Sequence, residues 1–547
     1  MSNRGCPQLA TEIQLEILEF LAEDARHEVA ERQYDDAWRC YARLLLPAIL
    51  VNREWALRGT DLLWREPFTP ALAKIRSDRR QIYADKVQSI GLYLYRADHT
   101  GCAAAFANLK FPRLKRLEIN SCPAWLKLDL RPYLSLNVTS FTMVECRHLP
   151  RPMLDLIAFC CPKLRDVHVD YDRDDQRDEH FLKFLQKCRQ VRELTLGCEN
   201  DLSLPVDVLD DLVARKQLEV FDAPRKFVSH HSIATVLQQN PRIRPFRNIR
   251  NLFLSIESKA LTPLLSAAEL LRELQLTLTD SDHDVFGPIG CLPCLETVDL
   301  CFSAPKRLAI QELQAISGLT RLKDLSIYRP SRGPYQEEGT LLVAEAWTDD
   351  VFRSWICSYP ELRKLQFGVS PLASHWISET RLIAESCPKL TELIMDGIHD
   401  IGAWKVSSQP LFPQLRALEL GQIKPWPFSM SAEETEEHAT GIALMIHQHA
   451  PELRELHVGR DDLGTAVEQA YDELKMDFEV ADVVMHVITR FENKLDILQL
   501  VPEADEVWLV RFVSPPFSST EACILDTVQS ANLKPSSPLS ASFSVKW

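Results

Sequence analysis

Leu271-Arg272-Glu273-Leu274-Gln275-Leu276 is the stretch on which the fold of this chain turns. Successive residues of an extended strand point to opposite faces, so Leu274 and Leu276 turn one way and Glu273 and Gln275 the other. The phrase recurs as Leu114-Lys115-Arg116-Leu117-Glu118-Ile119, Leu322-Lys323-Asp324-Leu325-Ser326-Ile327 and Leu415-Arg416-Ala417-Leu418-Glu419-Leu420. Its first apolar residue falls at Val87, Leu114, Val138, Leu164, Val191, Leu218, Ile249, Leu271, Leu295, Leu322, Leu362, Leu390, Leu415, Leu453 and Leu495. Most steps are about 22 to 31 residues, room for one strand, one helix and two turns. Those after Leu322, Leu415 and Leu453 are near 40 and read as insertions in a continuous stack.

A unit of this size cannot bury its own apolar face, so neighbours must stack. The phrase is similar to the LxxLxL signature of leucine-rich repeats. The expected fold is therefore α/β, a solenoid with parallel strands on a concave face and helices outside. The chain divides on this reading into a helical module at 1–70, the solenoid with its insertions and C-terminal cap at 71–513, and a Ser- and Pro-rich tail at 514–547.

Composition narrows the functional classes. The chain has 547 residues, of which 46% are hydrophobic and 17 are Gly, with a net charge of −15. No apolar run reaches the roughly 18 residues of a membrane span, and no signal peptide is evident, so the expected location is cytoplasmic or nuclear, without a membrane partner. The 15 cysteines are then free thiols. Cys160, Cys161, Cys188 and Cys387 stand just before strand phrases, where a small buried residue closes a helix. Cys291-Leu292-Pro293-Cys294 is an isolated CxxC without the further ligands a zinc site needs. Lys and Arg read as scattered among acids, which argues against a nucleic-acid partner.

Other chemistry finds no footing. Asp170 to Asp175 lacks the glycine of a calcium loop at the sixth position and has Phe181 in place of the glutamate at the twelfth. His230-His231 and His447-Gln448-His449 lack metal-ligand spacing and read as surface residues. There is no Walker loop, nucleophile elbow or dinucleotide glycine pattern. No catalytic residue, metal or cofactor is assigned, though a Ser-His-Asp triad drawn from distant repeats stays open.

The first 70 residues do not follow the repeat. Thr11-Glu12-Ile13-Gln14 has the pattern of a helix-starting capping box. Ile13, Leu15, Ile17, Leu18, Phe20 and Leu21 then cover more than the single stripe of a surface helix. Leu44 to Val51 is apolar throughout, and Asn52-Arg53-Glu54-Trp55 and Leu62-Leu63-Trp64 follow. So small a unit cannot bury all this surface itself; the first repeat or a partner must cover the rest.

Leu9-Ala10-Thr11-Glu12, Ile17, Leu21, Val51 to Trp55 and Leu63-Trp64 together resemble an F-box over about residues 7 to 66. The chain departs from that pattern at Ala10, where the family has proline, and in its long charged connection from Ala22 to Arg43. An F-box followed by leucine-rich repeats implies a substrate receptor of a cullin-RING ubiquitin ligase. The resemblance implies adaptor contacts on the SKP subunit from among Leu9, Ile13, Ile17, Leu21, Leu46, Val51, Trp55 and Trp64, some of them internal. The chain would then be non-catalytic, tethering a client near a reactive thioester carried by another protein. The alternative is a repeat scaffold whose N-terminal helices merely cap the stack.

The outward strand positions are acidic. Glu118, Asp166, Glu193, Glu273, Asp299, Asp324, Glu392, Glu419 and Glu455 are candidates for holding a client with a basic segment. They face only Arg116 and Lys364 of opposite sign. The plainer expectation is that these acids pair with the Lys or Arg at the second position of each phrase, such as Arg165, Arg192, Arg272 and Lys323.

Overall fold

A computed structural model of the chain describes residues 13–21, 45–93, 102, 104–120, 129–144, 151–170, 175–197, 202–329, 342–344, 348–371, 379–423, 432–459, 463–476, 498–503 and 507–512. Fourteen strands, from Ser89–Tyr93 to Glu455–Val458, follow one another in chain order across a single sheet, each parallel to the next. Connecting helices such as Arg151–Cys160, Asp175–Lys187 and Val206–Ala214 pack on each other in sequence. This is a leucine-rich-repeat solenoid, an α/β fold.

The pleat has the register that the phrase dictates. Leu117, Phe141, Val167, Leu194, Phe221, Leu252, Leu274, Val298, Leu325, Leu365, Leu393 and Leu418 form one row across the sheet, and each is at most 2% exposed. Burying each such side chain contributes about 1.5–3 kcal/mol, so the core that runs between successive repeats holds the stack together. The residues on either side of this row, among them Glu273 and Gln275, lie on the open face.

Every rung begins with the same contact. The carbonyl just before a strand accepts two N–H groups from the next rung: Lys115 O from Thr139 (2.8 Å) and Ser140 (3.0 Å), and Arg250 O from Arg272 (2.7 Å) and Glu273 (3.0 Å). Each repeat's backbone is thereby satisfied by its neighbour. Cys161, Cys188 and Cys387 are buried where helices end, their N–H groups bonding Ile157 O, Phe184 O and Ile383 O. Arg215 occupies the corresponding place before the next phrase. Its nearly buried guanidinium pairs with Asp211 at 2.7 Å and donates to the carbonyls of Cys188 and Leu185.

The long step after Leu322 contains structure of its own. Leu342–Ala344 joins Arg307–Leu308 and Val369–Pro371 in a small parallel sheet. Beside it, buried Lys306 pairs with Glu312 at 2.8 Å and donates to His283 O at 3.2 Å.

The N-terminal helices have a separate core. Leu18, Leu45, Ala48, Leu62 and Leu63 cluster there, with Leu21, Ile49, Trp55 and Trp64 packed against them. Asn52 caps the helix Arg53–Leu63 by accepting from Glu54 N and Trp55 N, which accounts for an Asn before the Arg-Glu-Trp motif. A Cβ at buried Gly59 would lie 2.5 Å from Ile49 Cγ1, so glycine permits the close approach of two helical segments.

Residues 1–426 with 448–460 make one compact unit, and 427–447 with 461–547 make another. The boundary read at residue 70 thus falls within the first unit. The second unit contains a helix over 463–476 and a hairpin in which Leu498–Glu503 pairs antiparallel with Val507–Phe512. The expected last phrase at Leu495 is corrected here: its strand forms a separate two-stranded sheet and is no rung of the parallel ladder. The capping-box Thr11, Leu9, the Ala22 to Arg43 connection and the tail from 514 lie outside the described residues. Among the described residues no helix is long and apolar enough to cross a membrane.

Candidate functional site

Two surfaces carry the residues singled out by sequence. The first is the outer side of the N-terminal helices. On the helix over 13–21, Leu18 is fully buried, whereas Ile13 (45%), Ile17 (37%) and Phe20 (67%) are exposed at spacings of four and three residues. That spacing places them on one helical face. Leu46, Leu50, Val51 and Leu57 on the following segments are exposed as well.

The structure divides the predicted adaptor residues into two sets. Ile13, Ile17, Leu46 and Val51 face outward. Leu21, Trp55 and Trp64 pack on the module's own core, and the Trp64 ring lies 4.8 Å from that of Tyr83. Phe20, Leu50 and Leu57 are outward residues that the motif did not mark. Phe20 was legible from its helical phase relative to Ile13, but Leu50 and Leu57 had no local signal.

The second surface is the open face of the sheet. Register places Asp166, Glu193, Glu273, Asp324, Glu392 and Glu455 in one row across the strands, and Glu118, Asp299 and Glu419 in the row two residues further along. Several are engaged within the row. Asn251 donates to Glu273, Thr297 to Asp324 at 3.0 Å, and Lys364 pairs with Glu392 at 2.7 Å. Tyr93 donates to Glu118 at 3.1 Å. Asp166 and Glu193 are direct cross-strand neighbours, and Glu193, Glu419 and Glu455 are exposed.

Electrostatics distinguish this face from a fully solvated one. Desolvation raises the carboxyl pKa of Asp166, and of Glu193, where the charges of Asp166 and Glu219 push in the same direction. Burial likewise raises Asp299, against the opposing effects of the Tyr328 hydroxyl and Lys364. Asp222 and Asp396 are raised too, the latter with help from Glu419. Asp222 was not among the residues singled out by sequence, although it holds the same position in the phrase beginning at Leu218 that Asp299 holds in its own.

Among the described residues, Arg165, Arg192, Arg272 and Lys323 make no ion pair with these acids, although the charges of Arg165 and Arg192 oppose the rise at Asp166. Those bases lie on the rim formed by the ladder carbonyls. In order the rim reads Gln88, Lys115, Thr139, Arg165, Arg192, Glu219, Arg250, Arg272, Glu296, Lys323, Arg363, Thr391, Arg416 and Arg454. Four rim bases pair with rim acids: Arg192 and Arg250 with Glu219, and Arg272 and Lys323 with Glu296, which Arg321 also joins. The reading of Lys and Arg as scattered is therefore corrected, since the ladder gathers into one line bases that lie 22 or more residues apart in the chain.

Polar groups away from these two surfaces have contacts of their own. Ser258, His283 and Asp280 meet, with Ser258 Oγ and His283 Nδ1 3.5 Å apart, but Asp280 accepts from the Ser258 backbone N–H and Ser258 is buried. That geometry orients no histidine for proton transfer. His449 is buried, correcting its reading as a surface residue, and its ring stands edge-on to Trp404 at 6.0 Å. Trp404 is core too, donating to Thr380 at 2.9 Å. Cys291 is exposed and Cys294 half-buried, and among the described residues no three His, Cys, Asp or Glu side chains gather to hold a metal ion.

No protein-family model and no curated protein matches this chain. Among solved structures, the leucine-rich repeat-containing protein LegL7 from Legionella pneumophila is similar at 13% identity, with a TM-score of 0.27, over 57% of this chain and 94% of that one. The fold assignment stands on the ladder itself.

Proposed function

We propose that this chain is a protein-interaction receptor, the substrate-recognition subunit of a cullin-RING ubiquitin ligase. Its N-terminal helices dock on the SKP adaptor, and the open face of its repeats holds a client. The observation that carries this reading is the outward apolar set Ile13, Ile17, Phe20, Leu46, Leu50, Val51 and Leu57, on a module that already has a core of its own. Exposed apolar surface on so small a unit marks a contact to be covered. The resemblance to an F-box names the adaptor. Ubiquitin transfer is then performed by partner subunits, with this chain supplying proximity.

The test is co-purification of the full chain with the SKP adaptor, compared with Ile17→Asp. A charge placed in a dry contact without a partner should weaken binding by at least about thirtyfold. An Ile17→Asp protein with an unchanged circular-dichroism melt and undiminished adaptor binding would sink the docking surface. A wild-type chain that never binds the adaptor would favour a scaffold without ligase association.

A further inference from the structure

We infer that the basic rim at the start of the strands is a second interaction surface, one that takes an extended, acidic polypeptide segment lying across the repeats. Lys and Arg make up 62 of the 547 residues, yet they fill nine of the fourteen rim positions, against two acids, in a chain whose net charge is −15. Composition does not place them there, and neither does packing. Arg192, Arg250 and Arg272 have side chains 51%, 54% and 57% exposed. Lys115, Arg165, Arg363 and Arg416 are exposed and make no ion pair among the described residues.

The ladder makes the line continuous. Neighbouring rungs are about 4.8 Å apart, so the line offers a cation every one or two rungs, within reach of the flexible Lys and Arg stems. Carboxylates along one edge of an extended segment recur about every 6.6 Å, a mismatch that those stems absorb. The choice of polypeptide over nucleic acid comes from the adjoining row. Asp166, Glu193, Glu273, Asp324 and Glu455 each follow a rim base by one residue, and that row faces the open side. A nucleic acid carries negative charge all along its backbone and would bring phosphates against these acids. A peptide with acids on one edge alone satisfies the rim and avoids that repulsion.

The experiment measures fluorescence anisotropy of the full chain with a labelled alternating Glu-Ser peptide and, separately, a labelled single-stranded oligonucleotide. The peptide should bind at low salt, weaken as salt rises, and bind more tightly than the oligonucleotide. A Lys115→Glu, Arg165→Glu, Arg363→Glu, Arg416→Glu protein should lose at least about tenfold in peptide affinity. The matching set of Gln substitutions, with the same melting temperature as wild type, should lose less, in the same direction. No peptide binding, equal binding by the folded reversal variant, or tighter binding of the oligonucleotide would each overturn the assignment. None of these outcomes depends on the SKP adaptor, so this surface and the docking helices stand or fall separately.

Discussion

The Arg65 carbonyl accepts the N–H of Gln88 at 2.8 Å, the same bond that the Gln88 carbonyl makes with Lys115. Arg65 also accepts from Ser89 N, so the end of the N-terminal helical module supplies the rung before the first strand. Thr69 is buried and bonds the Gly91 carbonyl, and Trp64 leans on Tyr83. A fragment ending at residue 70 loses all of these partners. It should show no cooperative thermal transition by circular dichroism, whereas a fragment extended through Asn120, at the end of the second strand, should recover one. A sharp melt for the shorter fragment would refute the dependence.

Arg215 gives a prediction about repeat stability. Its guanidinium, nearly buried, satisfies two carbonyls at the end of the preceding helix as well as Asp211. Arg215→Ala leaves those groups and a partly buried carboxylate unmet, at a cost of roughly 2–4 kcal/mol. Arg215→Lys should recover only part, because a single ammonium cannot reproduce the planar fork. Urea midpoints for the two variants check the order. Equal midpoints for Ala and wild type would count against it.

The parts of the fold that were legible in sequence are those set by local period. Leu274 and Leu276 could turn to the core only if Glu273 and Gln275 turned away, and a one-residue slip would have exposed every leucine. The outward set on the N-terminal helices was half legible: helical phase separates Ile17 from Leu18, but nothing near Trp64 in sequence announces Tyr83. His449 and Trp404 were opaque for the same reason, since their burial depends on each other and on Thr380, 24 residues from Trp404. The basic rim was hidden more deeply. Each base is an unremarkable neighbour of a leucine, and only the carbonyl ladder puts them in line.

Thiol chemistry should separate by place in the repeat. Burial pushes the pKa of Cys161 up to about 11 and those of Cys188 and Cys387 to about 12, from an ordinary value of 9.0. These three should resist a thiol reagent at pH 8 while exposed Cys291 and Cys357 react quickly. Linkage adds a sign. An acid whose folded pKa is raised stabilises the fold below its unfolded pKa, and that contribution is lost as pH rises through the folded value. The melting temperature should therefore fall as pH climbs from about 9 toward 12, and replacing the three cysteines with alanine should flatten that slope. Labelling of Cys188 at the rate of Cys291 in the folded protein would contradict the prediction.

Client capture and stability should respond to mild acid in opposite directions. Asp166, Glu193, Asp299 and Asp396 on the open face have raised pKa values, chiefly through desolvation, so they take up protons at a higher pH than their unfolded counterparts at 3.8 and 4.5. As pH falls from 7 toward 4.5 the folded state gains protons first, and these groups make the array more stable. Asp155, Glu296 and Glu361 behave in reverse: hydrogen bonds from Lys187, Lys323 and Lys389 lower their pKa values, and their contribution is lost only as pH falls below the unfolded values. The same protonation removes negative charge from the face proposed to hold a basic client. Opposite charges act mainly on encounter, so the association rate of a Lys-rich peptide should drop as pH falls from 7 toward the unfolded values of 4.5 and 3.8, while the melting temperature gains from these groups. Asp166→Asn with Glu193→Gln should reproduce the slower association at pH 7 and leave less to lose on acidification. Association that is independent of pH over this interval, in a protein whose melt is unchanged, would mean that the acids of the open face are solvated and idle.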